Sequence, residues 1–142
     1  MASLINSLTT AQIAGLSTLS ISRLTSADWQ AFTTAQMAAL TATQIPAIST
    51  ASMRFISTAN VAALTTEQVD SLTTKQLQTL TTSQVSALTG DQIGALEATD
   101  IAVFSNTQVV AFGTAGLSNF DTEQIQALTT GQFASLTTAQ VN

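Results

Sequence analysis

Residues 64–87 read LTTEQVDS, LTTKQLQT and LTTSQVSA, three consecutive octads in one frame. Outward from them the frame holds without insertion or deletion, back to Leu8 (LTTAQIAG) and on to Asn142 (LTTAQVN). Residues 1–7 form a partial unit. The consensus is Leu-Thr-Thr-x-Gln-(Ile/Val)-x-Ala, and positions 1 and 6 are large and apolar in every copy. A short period that covers the whole chain marks a repeat array, expected here to be a single domain over residues 1–142.

The octad dictates a local backbone. Position 2 is nearly always Ser or Thr, and three residues later position 5 is most often Gln. That spacing is a capping box: the hydroxyl accepts from the amide of the third helical residue, whose side chain reaches back to the cap amide. In the central octads the expected pairs are Thr65 with Gln68, Thr73 with Gln76 and Thr81 with Gln84. The residue before each cap and the one after each Gln are apolar, a pattern that staples the helix entry. The expected core pairs are therefore Leu64 with Val69, Leu72 with Leu77 and Leu80 with Val85.

A helix start every eight residues forbids long helices, so each runs only from about position 3 to position 8. One continuous helix fails separately, because eight residues advance equivalent side chains by about 80° beyond whole turns and no apolar stripe persists. The fold expected is an all-α solenoid, a superhelix of very short helices, one per repeat. A β-solenoid is the alternative, since Thr, Ile and Val favour strands. Against it, positions 1 and 6 have opposite parity, and most copies lack the Gly, Asn or Asp that a turn in every unit would need.

Two-turn helices are unstable alone in water and must bury their apolar side chains against neighbours. Each large aliphatic so buried contributes about 1.5–3 kcal/mol against about 1 kcal/mol for a cap. Burial dominates, and the caps decide where each helix begins. Position 8, usually Ala, lets backbones approach, while positions 4 and 7 vary freely and should face solvent. The terminal units keep the consensus, so the array is expected either to be cut from a longer one or to self-associate through uncapped ends.

Composition narrows the function. Only 8% of residues are charged, with 3 Lys+Arg against 8 Asp+Glu and a net charge of −5. Nucleic-acid and anionic-lipid affinity both rest on Lys and Arg, so neither partner is expected. Mean hydropathy is +0.34, yet apolar runs stay as short as Ile101–Phe104 and no membrane span is expected. Met1–Ser7 lacks the charged and apolar regions of a signal peptide. There is no Cys and no His, which removes thiolate nucleophiles, imidazole bases and the usual zinc and haem ligands. No catalytic, cofactor-binding or metal set is expected, and no cofactor. The acids Asp91, Glu97, Asp100, Asp121 and Glu123 are scattered without metal-loop spacing.

Breaks in the consensus are where a repeat protein would carry specificity. Trp29 replaces a position-6 aliphatic, and Arg54 and Phe55 replace small residues at positions 7 and 8. These three form a candidate contact patch, with core adjustment as the competing reading. Pro46 lacks a donor late in its helix and should kink that unit. Phe104, Phe112 and Phe120 at position 1, with Gly113 and Gly116 among them, read as compensated core packing.

The octads LTTEQVDS, LTTKQLQT and LTTSQVSA resemble the tandem LTTxQV octapeptides of large bacterial secreted or surface proteins, loosely labelled adhesion or haem-utilisation proteins. The resemblance implies an extracellular or cell-surface spacer or display role and no catalytic residues. The functional expectation is a non-enzymatic structural or interaction module with an unspecified protein or surface partner. A Thr-rich binding surface for ice or glycan is the alternative.

Overall fold

The computed structural model describes residues 3–142. Among them are sixteen short α-helices, two 3₁₀ segments and no strand. Each octad from Leu8 onward contributes one helical segment, so the all-α solenoid stands and the β-solenoid does not.

The octad Leu72–Thr79 shows how a unit is made. Thr73 is extended (φ −76°, ψ 157°) and its hydroxyl accepts from the Gln76 amide, while the Gln76 side chain accepts from the Thr73 amide. The helix Thr74–Thr79 then runs for six residues. It stops because Leu80 returns to extended backbone and donates its amide to the Leu77 carbonyl. The next Thr, Thr81, restarts the cycle. Most helices end at position 7 or 8, as in Thr66–Asp70 and Thr82–Ser86.

Two octads depart from this pattern for visible reasons. In Leu40–Ala47 the capping box still forms between Thr41 and Gln44, but Pro46 has no amide to donate. That unit tightens into the 3₁₀ segment Ile45–Ala47 rather than merely kinking. In Phe112–Asn119, Gly113 stands where the capping hydroxyl should be. Phe112 stays helical, Gly113 adopts φ +69°, and the helix Gly113–Leu117 begins without a side-chain cap.

Helices three octads apart pack together along the chain, such as Thr50–Met53 with Thr74–Thr79 and Ala98–Val103 with Thr122–Ala127. The solenoid therefore closes one turn in three to four octads. Positions 1 and 6 of successive units join in one hydrophobic cluster that runs from Ile5 to Leu117. Position 8 is half-buried in most units, while positions 2, 3, 4 and 7 are mostly exposed. Phe104, Phe112 and Phe120 meet edge to face, with ring centroids 5.4 and 5.1 Å apart. Gly116 makes room for them, since a Cβ there would lie 3.0 Å from that of Phe112.

Candidate functional site: the glutamine clasp and the two end turns

Position 5 is buried as deeply as positions 1 and 6, although it is polar. Gln68, Gln76, Gln84, Gln92, Gln124 and Gln132 are each no more than 2% exposed. Each carboxamide works with both ends. The oxygen accepts from the cap amide of its own octad, and the nitrogen donates to two carbonyls in the preceding turn. Gln76 Nε2 lies 2.9 Å from the Ile48 carbonyl, 28 residues back, and also bonds Ile45, 31 residues back. Gln84 clasps Met53 and Ile56, and Gln68 clasps Met37 and Leu40. The same 31/28 pairing recurs at Gln36, Gln44, Gln92, Gln108, Gln124 and Gln132. A separation of 28 to 31 residues is three and a half to nearly four octads, in keeping with the helix contacts.

The expected capping residues thus occupy their caps: Thr65, Thr73 and Thr81 accept from the amides of Gln68, Gln76 and Gln84 at 3.1–3.2 Å. Leu64, Val69, Leu72, Leu77, Leu80 and Val85 lie in the core. Sequence reasoning missed the second job of position 5. A signal for it exists, because a cap needs only an oxygen and Glu would serve and suit the helix dipole better. Yet eleven of the seventeen octads carry Gln at position 5 and none carries Glu, so the amide is selected as a donor.

Where position 5 is not Gln, the clasp weakens or disappears. Asn60 is one methylene shorter and reaches only the Phe32 carbonyl, at 2.9 Å. Ser52, Asp100 and Gly116 make no inter-turn bond among the described residues. Asp100 still accepts from the Glu97 amide at 3.0 Å. Its carboxyl titrates above the usual carboxylate value, chiefly because burial penalises the charge, with Glu97 and Asp70 adding repulsion. Asp28 moves the other way: the Ser3 hydroxyl, 2.6 Å away, and the Thr25 amide favour its ionised form.

The candidate contact patch divides. Trp29 is fully buried and stacks on Phe32 with centroids 4.9 Å apart, so it is a core residue and not an exposed contact. It stands at position 6, where every copy from Ile13 to Val109 is a core residue. Its indole N–H has no partner among the described residues. Arg54 and Phe55 do come together, with the guanidinium 5.0 Å from the ring centroid. Arg54 is exposed and borders a shallow groove with Thr50, Ala51 and Thr79.

The model of the ALTTAQ repeat family matches residues 43–74, 70–98, 93–130 and 101–138, in four overlapping stretches. The chain belongs to the ALTTAQ repeat family. Neither the curated proteins nor the solved structures contain a match. In structural terms the ALTTAQ octad is one cap, one short helix and one clasp. Among the described residues no three acidic side chains gather as a metal-ligand set, and no helix is long and apolar enough to cross a membrane.

The ends of the array differ from its middle. From Ile13 to Val109 every position-6 side chain is at most 2% exposed, whereas Ile125, Phe133 and Val141 are 44%, 55% and 51% exposed. A position-6 side chain is therefore covered by the turn that follows it. Position 1 is buried from Phe32 to Phe112 but only half-buried at both ends, at Leu8, Leu16 and Leu24 and again at Phe120, Leu128 and Leu136, so its cover comes from the turns on both sides.

Proposed function

We propose that this chain is a non-enzymatic structural or interaction module, a spacer or display segment of a larger bacterial secreted or surface protein. The observation that carries this reading is the glutamine clasp. In nine octads it joins a turn to the one before by the same two hydrogen bonds, so length grows by whole octads without any new kind of contact. The position-2 hydroxyls, otherwise the chain's richest supply of nucleophiles, are held as caps. An extracellular or cell-surface setting is supported by the resemblance of its octads to those of secreted and surface proteins. The partners we infer are proteins or surfaces, through the Arg54–Phe55 patch and by self-association through the two end turns.

A rigid spacer makes a measurable promise. With fluorescent proteins fused to the two ends of arrays lengthened by whole octads, the end-to-end distance read from energy transfer should grow as a rod's does, linearly in length. A flexible chain grows only as about the square root of its residue number. Square-root behaviour would remove the spacer reading.

A second reading, a hydroxyl-rich surface for ice or glycan, has one observation in its favour. Thr at position 3, as in Thr66, Thr74 and Thr82, is exposed and outside the capping box. A glycan panel and a thermal-hysteresis assay test it, and two negative results would retire it.

A further inference from the structure

We propose that the N-terminal turn of one copy stacks on the C-terminal turn of a second copy, in the register of the internal turns, with Gln12 closing the clasp between them. This rests on the reading that the chain self-associates through its end turns, and adds the mode. The two faces are complementary in shape class. The C-terminal turn opens a groove of about 470 Å³ lined by Leu117, Ile125, Leu128, Phe133, Leu136 and Val141. The N-terminal turn opens one of about 500 Å³ lined by Leu4, Ile5, Leu8, Leu16 and Leu24. One face lacks the cover that a following turn supplies to position 6. Each also lacks the cover that a neighbouring turn supplies to position 1, at Leu8, Leu16 and Leu24 on the N-terminal face and at Phe120, Leu128 and Leu136 on the C-terminal one. Each is what the other is missing.

The polar groups match as well. Gln12 accepts from the Thr9 amide at 2.8 Å, as every clasp glutamine does at its own cap, but its Nε2 donates to nothing among the described residues. On the opposite face the carbonyls of Leu128 and Leu136 accept no hydrogen bond among the described residues. Suppose the partial unit Ser3–Ser7 of one copy follows the octad Leu136–Asn142 of another. Gln12 then falls opposite the Ile125 and Leu128 carbonyls, the same position-6 and position-1 pair that the nine clasp glutamines from Gln36 to Gln132 bond. The contact joins two different faces and does not close on itself, so it propagates into an open filament.

Sedimentation velocity on the 142-residue chain, from micromolar to millimolar concentration, tests this with two paired variants. Leu4→Asp with Gln12→Glu spoils the N-terminal face, and Phe133→Asp with Val141→Asp spoils the C-terminal face. Leu4, Phe133 and Val141 are more than half exposed, and Glu at 12 keeps the cap acceptor, so all four changes leave the fold in place by circular dichroism. The wild-type chain is expected to grow in mass with concentration, and each variant alone to associate at least about tenfold more weakly. An equimolar mixture of the two should form a dimer and nothing larger, because each supplies the face the other lacks. A wild-type chain that stays monomeric throughout removes self-association itself. Association that both variants leave unchanged, or a mixture that forms no dimer, keeps self-association and overturns this stacking mode.

Discussion

The carboxamide nitrogen of Gln76 lies 2.8 Å from the carbonyl oxygen of Ile45, 31 residues earlier in the chain, while its oxygen holds the Thr73 amide of its own octad at 2.9 Å. One side chain thus starts a helix and ties that helix to the previous turn. Local and long-range structure share a residue, which is why a period of eight produces a solenoid with a turn of about thirty residues.

Changing Gln76→Glu separates the two jobs. The carboxylate still accepts from Thr73, but the carbonyls of Ile45 and Ile48 lose their donor and face a buried negative charge. The expected loss is about 3 kcal/mol or more, from unsatisfied buried acceptors and an unpaired buried charge. Acid should restore part of it, because a protonated carboxyl donates again. Urea melts at several pH values read both effects.

Removing a cap without touching the clasp should cost less. Thr73→Val keeps size and branching and deletes the acceptor for the Gln76 amide. A loss of about 1 kcal/mol is expected in the same melts. A Thr73→Val loss as large as that of Gln76→Glu would contradict the division of labour.

Asp100→Gln should stabilise the chain. A Gln there reaches for the Val69 and Leu72 carbonyls, the pair 31 and 28 residues back, and adds about 1 kcal/mol. It should also flatten the pH dependence. Burial raises the Asp100 carboxyl in the folded chain, so the folded state holds its proton more firmly than the unfolded state does. The stability this gives at low pH is lost as pH rises from the ordinary carboxylate value through the raised one. In the variant that slope should disappear from stability measured between those limits.

Pro46→Ala returns an amide to the octad Leu40–Ala47. The segment Ile45–Ala47 should convert from 3₁₀ to α, visible as more helical Cα chemical shifts at residues 42–47, with a gain of about 1 kcal/mol. Unchanged shifts at those residues would place the cause of the 3₁₀ segment elsewhere than in the proline.

Much of this architecture was legible in the octad. Leu64 and Val69 recur eight and only eight residues apart from their counterparts, and their burial follows from that alone. Thr65 and Gln68 stand at capping distance, which sets where the helix begins. Two features were harder to read. Gln68 satisfies its local role with one atom, so nothing nearby announces that its nitrogen bonds Met37 and Leu40, and those partners depend on a superhelical turn that local spacing does not contain. Trp29 is as large as a contact residue usually is, and only the surrounding stack shows that the core accommodates it whole. The Arg54–Phe55 pair was legible as neighbours in sequence, but the placing of the guanidinium over the ring depends on where the short helix ends.

The most direct test of the account is a nuclear Overhauser measurement on the Gln76 side-chain amide in the intact chain. Close contacts from its Nε2 protons to residues 45–48, together with slow exchange of those protons with water, are the expected result. Contacts confined to residues 72–80, with rapid exchange, would contradict the clasp and the superhelix built on it.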